Sequence, residues 1–79
     1  MNINVLLFGI ATDLAGSSSI KIELPVNSTI ASFKEIISQH SQLKNMSTYA
    51  VAINESYATD EIIINENDVI AIIPPVSGG

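Results

Sequence analysis

A single change of hydrophobic period, at Pro25, constrains this chain more than any other feature. Up to Leu24 the apolar residues alternate with polar ones, Ile20, Ile22 and Leu24 against Lys21 and Glu23, as a half-buried strand requires. Beyond Pro25 they recur at helical spacing, as Ile30, Phe33, Ile36 and Ile37. Strand character returns at residues 49–53 and again at 69–73, where Pro74 stops it because proline cannot donate to a ladder. Strands, one helix, then strands again leave a chain of 79 residues few ways to close a core.

Residues 3–8 form a strand with Ile3, Val5 and Leu7 on one face and Asn4, Leu6 and Phe8 on the other. Gly9 and residues 11–19, with Asp13, Gly16 and three serines, read as a connection. A second strand spans 19–24 and forms a hairpin with the first. Asn27, Ser28 and Thr29 are candidate caps for a helix of about three turns ending near His40. Residues 41–48 are polar and loop-like, and Asn54-Glu55-Ser56 and Asn65-Glu66-Asn67-Asp68 are turns. Residues 62–64 are a short apolar run between them. If the first and last strands pair in parallel, the helix lies in the crossover between them. The expected class is α+β: a β-grasp, or ubiquitin-like, mixed sheet with one main helix on one face, over residues 1–73. Residues 74–79 form an extended tail.

Parity carries a second message. Ile3, Val5, Leu7, Ile70 and Ile72 suffice for the helix-facing core, which leaves Leu6, Phe8, Val69, Ala71 and Ile73 on the uncovered face. A contiguous apolar patch on the open side of a sheet marks a partner surface, unless loops cover it. Leu6 fits either alternative equally, whereas Phe8 and Ile73 lie beside the tail and fit a partner surface better.

Several functions are disfavoured. The net charge is −5, with three lysines and no arginine, so the chain cannot track a phosphate backbone and nucleic acid is not an expected partner. A basic protein is the natural counterpart for such a surface. With no cysteine there is no disulfide, thiolate site or thiol nucleophile. The apolar run 5–11 is too short for a bilayer span and no cation precedes it, so no membrane and a cytoplasmic location are expected. The one histidine, His40, fits favourable charge–dipole contact at a helix C-terminus, so no metal site is expected. Residues 65–68 lack the glycine and distal glutamate of a calcium loop. Residues 17–19 have no evident base, and Glu55, Asp60 and Glu61 read as a surface charge run. No catalytic residue is expected, and no bound cofactor.

What remains is the tail, Pro74-Pro75-Val76-Ser77-Gly78-Gly79. A stiff stem ends in two residues without Cβ atoms, which fit a slot that other residues would clog. On the diglycine alone, simple fraying of a terminus is the better reading. The Gly79 carboxylate is nonetheless the one distinctive reactive group, ionised at neutral pH and inert until another protein activates it, for instance as an acyl-adenylate.

The segment from Asn67 to Gly79, ending Pro-Pro-Val-Ser-Gly-Gly, resembles the C-terminus of the small, sulfur-carrier subunits of molybdopterin synthase. Val5-Leu6-Leu7-Phe8-Gly9, Asp13-Leu14-Ala15-Gly16 and Ala52-Ile53-Asn54 are similar to that family's opening strand, loop and central strand. Thr12 departs from the family, which commonly has arginine there, and Asn67 stands where glycine is frequent. The resemblance implies that an E1-like adenylyltransferase activates Gly79 with ATP and that a sulfur donor protein converts it to a thiocarboxylate. The tail, from Pro74 through Pro75, Val76, Ser77 and Gly78 to Gly79, then enters the active site of the large synthase subunit, within a heterotetramer, and gives sulfur to cyclic pyranopterin monophosphate. Phe8, Tyr57 and Ile73 are the docking candidates, Tyr57 on the family pattern. A sulfur carrier for thiamine synthesis or tRNA thiolation, a ubiquitin-like modifier and a plain interaction module remain as alternatives.

Overall fold

The computed structural model describes residues 1–40, 43 and 49–74. Five strands, β1 (Asn2–Leu7), β2 (Ser19–Glu23), β3 (Ala50–Ile53), β4 (Ser56–Tyr57) and β5 (Val69–Ile73), form one sheet in the order β2-β1-β5-β3-β4. Among the described residues two helices, α1 (Ile10–Ala15) and α2 (Ile30–Gln39), accompany the sheet. β1 and β2 are antiparallel, β1 and β5 parallel, and β5 and β3 antiparallel. The parallel pair at the centre and α2 over one face make this a β-grasp fold.

Alternation drives the packing. Ile3, Val5 and Leu7 from β1, with Ile70 and Ile72 from β5, are all buried and join Phe33, Ile30 and Ile37 of α2 in one core. Fully burying a side chain such as Phe33 contributes about 1.5–3 kcal/mol. Thr29 caps α2, its hydroxyl accepting from the Ser32 amide at 3.3 Å. The next two amides, of Ile30 and Ala31, donate to the carbonyls of Ile62 and Asp60 at 3.0 Å each.

That capping explains the fate of residues 62–64. They make no regular strand, because the Ile62 carbonyl serves the helix; Ile63 makes a single bridge to Thr29, and Ile64 fills the core. The short extra strand is instead β4, immediately after the Asn54-Glu55 turn.

The expected connection over 11–19 also needs correction, since its first half is helix α1. Ala11, Leu14 and Ala15 turn one face of α1 to the core, and Gly16 ends it in the left-handed conformation at φ 72°. Six residues are too few to be helical alone, so packing rather than propensity holds this turn. In the stretch expected to be a polar loop, Leu43 is buried in the core, and 41–42 and 44–48 lie outside the described residues.

Candidate functional site

The face of the sheet away from α2 is assembled by register. Leu6 pairs with Ala71, Ala71 with Ala52, and Ala52 with Tyr57, so one row crosses β1, β5, β3 and β4. The two alanines make a low floor, with Leu6 rising on one side and Tyr57 on the other. Phe8, Val69 and Ile73 extend this into a depression of about 590 Å³ that Asn54 and Glu55 also border. Leu6, Phe8 and Tyr57 are 38%, 48% and 76% exposed, so no other described segment of the chain covers them.

The three docking candidates are therefore brought together: Phe8 and Ile73 at the end where β5 leaves the sheet, Tyr57 across the alanine floor. Leu6, equally compatible with loop cover, belongs to the same open depression. Sequence reasoning missed Ala52, Asn54 and Glu55 as part of the face. The parity of β3 was the signal for Ala52, because Val51 faces the core.

The hairpin tip is locked to the turn before β5 by one side chain. Asn54 donates its amide to Asp68 at 3.0 Å and accepts from the Val69 amide at 3.0 Å, while its own backbone amide donates to the Val69 carbonyl at 2.8 Å. Asp68 also accepts from the Asn65 amide at 2.7 Å. Asn67, where the resemblance implies a frequent glycine, takes the left-handed conformation at φ 76°, as asparagine tolerates.

At the other end, Gly9 opens the way out. Its φ of 55° with ψ −132° is a conformation reserved for glycine, and it brings the backbone beside the Pro74 ring. A Cβ there would lie 3.6 Å from Pro74 Cγ, in ordinary contact, so backbone conformation rather than space demands glycine. Thr12, where the resemblance implies a common arginine, turns inward: its hydroxyl donates to the Leu7 carbonyl at 2.9 Å. Pro75, Val76, Ser77, Gly78 and Gly79 lie outside the described residues.

Elsewhere several polar groups are engaged structurally. Lys34 pairs with Asp60 at 2.7 Å, Thr59 donates to Glu61 at 2.9 Å, and Ser17 donates to the Ser19 carbonyl at 2.7 Å. His40 caps α2, its backbone amide donating to the Ile37 carbonyl. Burial, helped by the negative charge of Asp60, pushes the Tyr49 hydroxyl above its ordinary pKa. Among the described residues no group of three or more His, Asp or Glu is placed to hold a metal, and no helix is long and apolar enough to cross a membrane.

Comparison with known proteins identifies this architecture. The model of the ThiS family matches residues 5–79. The molybdopterin synthase sulfur carrier subunit of Arabidopsis thaliana is 37% identical, with 100% of this chain and 84% of that protein aligned. Its counterpart in Dictyostelium discoideum is 42% identical, over 95% of this chain and 93% of the relative. Among solved structures, SAMP1 from Haloferax volcanii superposes with a TM-score of 0.84 at 21% identity, covering 100% of both chains. A chain in the complex of subunits 1 and 2 of the molybdopterin-converting factor from Helicobacter pylori superposes at 0.71 and 22% identity, again over 100% of both. At those identities the structures speak to fold alone, and the fold they share with this chain is the β-grasp. The full-length sequence matches go further: this chain belongs to the ThiS family, and its relatives there are sulfur carrier subunits of molybdopterin synthase.

Proposed function

We propose that this chain is the sulfur-carrier subunit of a molybdopterin synthase, without catalytic activity of its own. The observation that carries this reading is the continuity between an open apolar face and the tail exit: Phe8 and Ile73 flank the place where Pro74 leaves the sheet. The full-length relatives that bear this function add to it. The large synthase subunit docks on the face built by Phe8, Tyr57 and Ile73, and the tail enters its active site. Six extended residues, 74–79, reach roughly 20 Å, enough to pass from a docked surface into a buried site. Pro74 and Pro75 limit the entropy lost on threading, and Gly78 and Gly79 fit the narrow end.

The chemistry falls to partners. An E1-like adenylyltransferase joins the Gly79 carboxylate to the α-phosphorus of ATP, with release of pyrophosphate. Sulfide supplied by a donor protein attacks the acyl carbon, the bond to AMP breaks, and a thiocarboxylate remains. In the large subunit that sulfur then bonds to a carbon of cyclic pyranopterin monophosphate, and water attacks the acyl carbon, breaking its bond to sulfur and restoring the Gly79 carboxylate.

Mass spectrometry of the chain after incubation with activating enzyme, ATP and sulfide tests the proposal. The expected result is an oxygen-to-sulfur mass increase confined to the C-terminal peptide. No increase, with an enzyme that activates another carrier under the same conditions, would overturn it. A residue added after Gly79 is expected to abolish the increase while leaving the unfolding midpoint unchanged.

A further inference from the structure

The docking face has an acidic corner that the fold does not use. Asn54 and Glu55 are the two loop residues of the β3–β4 hairpin, and both have positive φ, 49° and 73°. Such turns favour asparagine at the first position and glycine at the second. Asn54 offsets its strain with its hydrogen bonds to Asp68 and Val69. Glu55 has no such return: among the described residues its side chain makes no hydrogen bond or ion pair, and it is exposed. A glutamate in the left-handed region costs roughly 1–2 kcal/mol. The position therefore holds a residue that folding alone would replace by glycine.

Its location supplies the missing reason. Glu55 borders the apolar depression beside Tyr57 and Val69. The neighbouring carboxylate, Asp68, has both oxygens engaged by Asn54 and Asn65, so among the described residues Glu55 is the carboxylate lining the depression whose oxygens have no donor. A second copy of this chain is a poor source of a matching cation, since it carries three lysines against eight acidic residues and Lys34 is already paired. We propose that Glu55 is a recognition residue of the docking face, pairing with a lysine or arginine of the large subunit. This rests on the docking reading above. A charge at the rim of an apolar patch acts through encounter rate and orientation, and its effect weakens as salt screens it.

The test uses the full chain and the large synthase subunit, with docking measured at low and physiological ionic strength and stability by urea unfolding. Glu55→Gln keeps shape and removes charge. It is expected to weaken docking about fivefold at low salt, mainly through a slower association rate, with a smaller difference at physiological salt. Glu55→Lys is expected to weaken it further. Glu55→Gly is expected to raise the unfolding midpoint while docking as poorly as Glu55→Gln. Docking of Glu55→Gln indistinguishable from wild type at low salt would overturn the proposal and leave the docking face intact. Failure of the folded wild-type chain to bind the large subunit would instead overturn the docking reading, and this inference with it.

Discussion

Asn54 shows how much one residue organises here. Its side chain and backbone amide fasten the β3–β4 tip to the start of β5, holding Tyr57 and Glu55 against a fixed floor. Tyr49 offers a different kind of measurement. Its hydroxyl titrates above the ordinary 10.0, chiefly through burial and secondly through Asp60. An acid whose pKa is raised by folding keeps its proton longer in the native state, so stability is full below the unfolded pKa and is lost as pH rises past it. Urea midpoints are therefore expected to fall as pH rises from about 10 upward, and Tyr49→Phe to remove that part of the slope. At this scale Phe8 and Ile73 were legible because strand parity fixes which way a side chain points. Glu55 was not, because a turn residue's contribution depends on which face the hairpin closes against.

Among the elements, α1 is the instructive case. Asp13, Gly16 and the serines signal a loop, and the tertiary core overrides them: Ala11, Leu14 and Ala15 find apolar partners that no local rule announces. The spacing of those residues was the available signal, too short to separate from chance. Strand β5, by contrast, was readable to the residue because alternation and Pro74 agree on its end. The run at 62–64 was ambiguous for a physical reason, since apolar residues serve equally to pair in a sheet or to cap a helix and plug a core. If Gly16 ends α1 through its left-handed backbone, Gly16→Ala should cost about 1–2 kcal/mol, measured by urea unfolding, and Gly16→Asn distinctly less. No heavy atom lies within 4 Å of a Cβ placed there, so steric crowding adds nothing to that figure.

For the whole molecule, the division between the two faces of the sheet is what matters. One face is filled by α2, and the other keeps Leu6, Phe8 and Tyr57 in solvent. Stability and docking should therefore separate cleanly. Phe8→Ser is expected to lose binding to the large subunit while shifting unfolding free energy by no more than about 0.5 kcal/mol. Loss of both together would mean that Phe8 supports the core. The position of β5 has a consequence for how the protein is made. The strand nearest the tail lies in the middle of the sheet, between β1 and β3. A nascent chain that has not yet released residues 69–73 from the ribosome has neither its central strand nor its open apolar face. Folding here waits on the emergence of β5, so a chain truncated before residue 69 lacks the strand that joins β1 to β3 and is expected to fail to fold rather than persist as a tailless domain.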